Sequence, residues 1–251
     1  MRIREIPNPR MAGLTPPGFK CDTCLVKRDI EPFENRSFFM GIFGKPGSGK
    51  TSLCVSSLVS RKPKVYARAF SHIFVFMPAS SRSSLSCDPF GALDPGNVYE
   101  NLDLASLSGV YDRLQEQTPG PKGEFETNLI VIDDMTQSLK DYSIRKLLNH
   151  IILNRRHLHC SIMILSQYYN AIPLEMRKNL SSVVIVGRIT NKKEYKNIAE
   201  EVLHLSKDDM DAVMKYSFQK PHDNLFIRLD SGRMYRNFAR LILEGEEPAH
   251  T

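Results

Sequence analysis

No run of about 18 consecutive apolar residues, the minimum for a helix that spans a bilayer, occurs in this chain of 251 residues. The best apolar stretches, such as Ser37–Phe43 and Asn128–Ile132, are far too short, so stable membrane insertion is not expected. Nor does an apolar segment follow the charged N-terminus Met1–Arg10; no secretory signal is expected, and the chain reads as soluble and intracellular. Cysteine is scarce. Its five positions (Cys21, Cys24, Cys54, Cys87 and Cys160) make an odd number, which fits a reducing compartment better than a disulfide framework. With 41% hydrophobic and 25% charged residues, the composition excludes both disorder and a fibre. Lys plus Arg (34) exceeds Asp plus Glu (28), giving a net charge of +6 that permits a polyanionic partner without requiring one.

What is present is an alternation. Residues 1–36 carry Pro7, Pro9, Pro16, Pro17 and Pro32 with no apolar period, and read as an extended N-terminal arm. From residue 37 to 251 short apolar runs alternate with helical patterns, the signature of an α/β domain with a mostly parallel central sheet flanked by helices. The expected strands are Phe38–Phe43, Ile73–Met77, Asn128–Ile132, Ser161–Leu165 and Val183–Val186, apolar throughout as strands buried on both faces are. Ile144, Leu147, Leu148, Ile151 and Ile152 mark a helix, Tyr195–Leu203 repeats the spacing, and Ser206 caps a further helix to about Tyr216. Asn224–Leu229 and Arg233–Phe238, joined by Asp230-Ser231-Gly232, read as a hairpin within about 223–240. Residues 80–96 and 118–127 read as loops.

Gly44-Lys45-Pro46-Gly47-Ser48-Gly49-Lys50-Thr51 matches G-x-x-x-x-G-K-[ST], with an apolar strand before it and a helix from Gly49 to about Ser60 after it. Glycines allow backbone N–H groups to turn inward as a nest for phosphate. Lys50 supplies a mobile cation for the β/γ oxygens, Thr51 a hydroxyl for Mg²⁺, and the helix start, with Ser52, a positive dipole end. The expected ligands are therefore ATP and Mg²⁺. A second strand, Asn128–Ile132, runs into Asp133 and Asp134, a pair suited to holding Mg²⁺ (Asp133) and orienting an attacking water (Asp134).

A third strand decides between branches of these proteins. Motor ATPases carry an extra strand between the phosphate-loop strand and the acidic one, tipped by a polar residue near the γ-phosphate. Cys160–Leu165 ends in Ser166-Gln167, which places Gln167 where that sensor belongs. A nucleotide or small-molecule kinase needs an arginine-rich lid and an acceptor pocket, and no such lid segment stands out. That reading, and a nucleotide-switched interaction module of a capsid or conjugation complex, are the alternatives.

Gly44–Thr51, Asp133-Asp134, Asn154-Arg155-Arg156-His157, Ile164-Leu165-Ser166-Gln167 and Ile172-Pro173…Arg177-Lys178-Asn179 occur in an order that resembles the genome-packaging ATPases of poxviruses, giant viruses and virophages, a branch of the FtsK–HerA superfamily. The resemblance spans about Phe38 to Tyr216. It implies a RecA-like fold, a homo-oligomeric ring (pentamer or hexamer), ATP hydrolysis, and movement of double-stranded DNA into a preformed capsid at a capsid or portal-vertex protein. It also implies a place in the host cytoplasm or viral factory, or on the virion. Many superfamily members carry Glu where Asp134 stands. Arg155 and Arg156 follow a helix and precede the sensor strand, so either can act across a subunit interface on the γ-phosphate; Arg156, of the shared Arg-His pair, is preferred, with Arg177 as a further candidate. The plainer reading is a helix C-terminus complemented by cations.

The remaining signals are weaker. Cys21-x-x-Cys24 is half of a zinc pattern without a second pair at finger spacing. His157 and His159 would face one way on a strand and read more readily as structural than as proton carriers. Lys62, Lys64, Arg68, Lys192, Lys193 and Lys196 are candidate contacts to a DNA backbone, or solvated surface.

Overall fold

The computed structural model describes residues 30–35, 37–83, 89–121 and 124–243. Most of the predicted arm, with Cys21 and Cys24, and also Cys87, lies outside them. Among the described residues nine strands form one sheet: β1 (Phe39–Phe43), β2 (His72–Phe76), β3 (Val98–Tyr99), β4 (Asn128–Asp133), β5 (Cys160–Ser166), β6 (Ser182–Val186), β7 (Asn224–Arg228), β8 (Met234–Arg236) and β9 (Ala239–Leu241). The order across the sheet is β3-β2-β4-β5-β1-β6-β7-β8-β9; the ladders from β3 to β6 are parallel and those from β6 to β9 antiparallel. All five predicted strands of the parallel part are present within a residue or two.

Alternate residues of each central strand feed opposite faces, as the two-residue period requires. Along β4, Ile130 and Ile132 join one apolar cluster, while Leu129 and Val131 join the other. On the second face, α1 (Lys50–Val59) buries Cys54, Val55 and Leu58 against Met40 and Ile42. A short helix α2 (Ala79–Ser83) follows β2. The first face is covered by α3 (Leu104–Gln115), α4 (Tyr142–Asn154), α6 (Lys192–Ile198) and α7 (Lys207–Ser217), with the single turn α5 (Leu174–Arg177) beside them. Each fully buried Leu or Ile of this kind contributes about 1.5–3 kcal/mol. Ile30 and Phe33, from the end of the predicted arm, are buried in the second cluster; the Phe33 ring meets Phe226 at 5.2 Å.

The helix starts follow capping chemistry. Asp141 Oδ1 accepts from Ser143 N (2.8 Å) and Ile144 N (3.2 Å), opening α4, and Ser206 Oγ accepts from Asp209 N (3.2 Å), opening α7. The Tyr195–Leu203 pattern is α6 followed by a π-helical turn, Ala199–Leu203. The expected hairpin is β7 and β8, paired Ile227 to Met234, and β9 extends it. Three expectations need correction. The segment 80–96, read as loop, contains most of α2 and two 3-10 turns, and α3 was not anticipated although Leu107, Val110 and Leu114 form its buried stripe. Arg233–Phe238 is strand only over Met234–Arg236, because Asn237 and Phe238 both take positive φ (47° and 71°) to turn the chain into β9. His157 and His159 lie in the turn before β5, not on a strand; the His159 ring stacks on Phe125 at 4.1 Å.

Candidate active site

β1 ends at Phe43, and the chain turns through Gly44–Gly49 directly into α1. The turn requires its glycines. A Cβ on Gly44 would sit 2.3 Å from Val186 O and 2.7 Å from Ser48 Oγ, while Gly47 and Gly49 hold φ of 73° and 104°. Gly44 N donates to Ser166 O (3.2 Å), tying the loop to the tip of β5, and Ser48 N donates to Lys45 O (3.1 Å). The first N–H groups of α1, including those of Thr51 and Ser52, have no partner inside the helix and open toward the loop. Lys45, Pro46 and Ser52 form its exposed rim. The Lys50 ammonium is buried and donates to Lys45 O at 3.3 Å; burial lowers its pKa, opposed by the charges of Asp134 and Asp133.

Facing Lys50 are the strand-end carboxylates. Thr51 Oγ1 donates to Asp133 Oδ2 at 2.8 Å. Asp133 is 2% exposed; burial pushes its carboxyl up and the Thr51 hydrogen bond opposes the shift. A hydroxyl and a carboxylate are hard oxygen donors that suit Mg²⁺ arriving with phosphates. Among the described residues no group of three or more His, Cys, Asp or Glu is placed to hold a metal, so an ion here would complete its shell with phosphate and water oxygens. Asp134 is exposed and takes a left-handed conformation (φ 57°), which Asp tolerates better than most residues. Its backbone N donates to Leu165 O (3.2 Å), and its Oδ2 accepts from Gln167 Nε2 (3.2 Å). The sheet order explains this meeting. β5 lies between β1 and β4, so its tip emerges between the loop and the acidic pair.

The predicted phosphate, metal, water and sensor positions are thus brought together; the arginines are not. Arg156 sits in the turn that precedes β5, a strand of seven residues whose other end carries Gln167. That separates it from its own cleft by roughly 20 Å at about 3.3 Å per residue. Arg155 Nη1 donates to Ile152 O (2.9 Å) at the end of α4. Arg177 is held by Asn170 Oδ1 (2.9 Å) and Glu201 Oε1 (3.1 Å) with its guanidinium over the Tyr169 ring, an arrangement that fixes it within its own subunit.

The other flank of the loop holds residues that the sequence reading missed. A cleft of about 520 Å³ runs along Gly47–Leu53 and is closed by Val186, His222 and Asn224. His222 Nδ1 lies 2.8 Å from Ser48 O. A smaller cavity, about 40 Å³, lies between Lys45, Gln167, Arg188 and Asn191. His222 comes from the gap between α7 and β7, where neither motif nor periodicity marks a functional residue; only the polar run Lys220–Asn224 ahead of a strand hints at a built turn. The remaining candidate cations line neither of these cavities. Lys62 and Lys64 are exposed in the turn after α1, and Lys192, Lys193 and Lys196 lie on α6, where Lys196 pairs with Glu200 at 3.7 Å. Cys54 and Cys160 are free and buried, which pushes both thiols up. Among the described residues no helix is long and apolar enough to cross a membrane.

The poxvirus A32 protein family model matches residues 26–219. Among solved structures, the DNA-packaging ATPase B204 of Sulfolobus turreted icosahedral virus is similar at TM-score 0.58 and 15% identity, over 79% of this chain and 96% of that one. The genome-packaging NTPase B204 of Sulfolobus turreted icosahedral virus 2 in complex with AMP is similar at TM-score 0.54 and 15% identity, over 82% and 98%. The cytoplasmic domain of the Thermomonospora curvata type VII secretion ATPase EccC matches at TM-score 0.55 and 16% identity, over 84% of this chain but 26% of that chain. At these identities the likeness is one of fold. Among curated proteins none matches the chain. The family match covers well over half of the sequence and encloses the phosphate loop, the acidic pair and the sensor strand: the chain belongs to the poxvirus A32 protein family and is a P-loop ATPase of the viral packaging type.

Proposed function

We propose that this chain hydrolyses ATP in a homo-oligomeric ring to drive double-stranded DNA into a preformed capsid. The observation that carries the catalytic part is the insertion of β5 between β1 and β4, which sets Gln167 Nε2 3.2 Å from Asp134 Oδ2 across from the Thr51–Asp133 pair. In this reading the loop N–H groups and Lys50 bind the β- and γ-phosphates. Thr51 and Asp133 hold Mg²⁺, which neutralises charge on the transferring phosphoryl group when bound. Asp134 accepts hydrogen bonds from the attacking water and Gln167 fixes its carboxylate, so that water lies in line with the scissile bond. This pairing favours hydrolysis over transfer to an acceptor, as in a kinase. The DNA and capsid roles draw on the family and on the packaging function named for the B204 structures. Arg156, at the opposite end of β5 from the cleft, is suited to act on a neighbour's nucleotide rather than its own.

The test is ATP turnover by the full chain with and without duplex DNA, over a range of protein concentrations. Turnover that rises with concentration and is stimulated by duplex DNA is expected. Turnover indifferent to DNA rejects translocation, and nucleotide binding without turnover in assembled protein points to a switch module. In the same assay, mixing Arg156→Ala with Lys50→Ala recovers activity, because an intact Lys50 site can face an intact Arg156. A flat baseline in demonstrated mixed oligomers removes Arg156 from this role.

A further inference from the structure

We infer that His222 is a positioning residue for the phosphate cradle: its ring holds the Ser48 carbonyl so that the N–H of Gly49 is turned to the phosphates. The inference rests on the reading of Gly44–Thr51 as that cradle. Nδ1 of His222 lies 2.8 Å from Ser48 O, and a carbonyl oxygen only accepts, so Nδ1 carries the proton. The Ser48–Gly49 peptide is not among the cis bonds; in a trans peptide C=O and N–H point in opposite directions. Fixing the carbonyl toward His222 therefore aims the next N–H the other way, into the loop. Contact is close on the Gly49 side as well, where a Cβ would lie 3.3 Å from Nδ1.

The turn that carries His222 is built for this placement. His222 holds φ 66°, a strained conformation for a non-glycine residue that persists only where its surroundings impose it. Those surroundings are the buried Asp223 carboxylate, which accepts from Gln219 N (2.9 Å), Lys220 N (2.8 Å), Arg236 Nη2 (3.1 Å) and Asn237 Nδ2 (2.7 Å). Asp223 O also accepts from Gly187 N (2.9 Å), just past the Val186 carbonyl on which Gly44 packs. One rigid turn thus braces the phosphate loop through its Ser48 carbonyl and is itself tied to β6 and β8.

The test compares His222→Asn with His222→Gly in the full chain. Both residues accept a left-handed backbone, but only Asn offers a donor, Nδ2, the same number of bonds from Cα as Nδ1. Calorimetric titration with ADP and with inorganic pyrophosphate is the readout, with thermal unfolding as the check on folding. His222→Gly should bind both ligands about 10-fold more weakly, and His222→Asn should stay within about 3-fold of the parent, the range for one well-placed hydrogen bond. Equal loss in the two variants, or no loss in either, overturns the inference. Loss confined to ADP overturns it too, because it assigns His222 to base or ribose. Lys50→Ala in the same titration separates the two levels: if it binds pyrophosphate like the parent, the cradle reading itself fails, whatever His222 does.

Discussion

On one flank of the phosphate loop the polar groups stand at the tips of two neighbouring parallel strands, β4 and β5; on the other they come from a turn 174 residues along the chain from Ser48. The strand-tip flank is positioned by buried ladders, in which Ile132 and Leu165 are fully buried next to Asp133 and Ser166, so changing its polar ends disturbs little packing. The turn flank has no such frame. It is held by charge-assisted hydrogen bonds converging on Asp223, and its geometry and its stability are one property. Substitutions on the first flank should therefore change the rate, and those on the second stability and affinity.

The largest effect belongs to the element between the flanks. Lys50→Ala removes the buried cation that faces Asp133 and Asp134, and nucleotide binding or turnover should be abolished. Full hydrolysis by that variant, in a steady-state phosphate-release assay, would break the comparison at its centre. On the turn flank, Asp223→Asn should lower unfolding free energy by about 2 kcal/mol, as loss of charge-assisted hydrogen bonds does. The same variant separates the flanks by pH. Asn237, the loop N–H groups and Arg236 hold the Asp223 carboxyl well below its usual range, so its stabilisation is full at neutral pH and fades as the pH falls below about 4. Asp133, raised by burial, has the opposite sign: stability is lost as pH rises through its folded value. Thermal unfolding from pH 7 to pH 3 should thus show a steeper acid loss in the parent than in Asp223→Asn, and parallel curves would refute the role given to the turn.

The two flanks also differ in how far they can be read from sequence. Lys50, Thr51 and the acidic pair are legible because a phosphate nest and a strand end are local: glycine spacing and an apolar run fix them within a few residues. Gln167 is legible one step further, through an expected strand order that the sheet bears out. His222 and Asp223 are not, since their meaning lies in contacts to Ser48, Gly187, Arg236 and Asn237 that no spacing encodes. The same holds for α3, whose mixed stripe carries Ser and Gly between its buried leucines and gives a weak period. His157 and His159 would share a face only on a strand, whereas the expected strand starts at Ser161 and turn geometry, with His159 at φ 46°, decides their place.

The most direct test of the account is Asp134→Asn, measured by ATP affinity and hydrolysis rate on the same preparation. The account predicts Mg·ATP binding within a few-fold of the parent and a rate lower by about 10²–10⁴, as for a lost general base. A variant that loses affinity and rate in equal proportion would contradict it, placing Asp134 in ligand binding rather than in the activation of water.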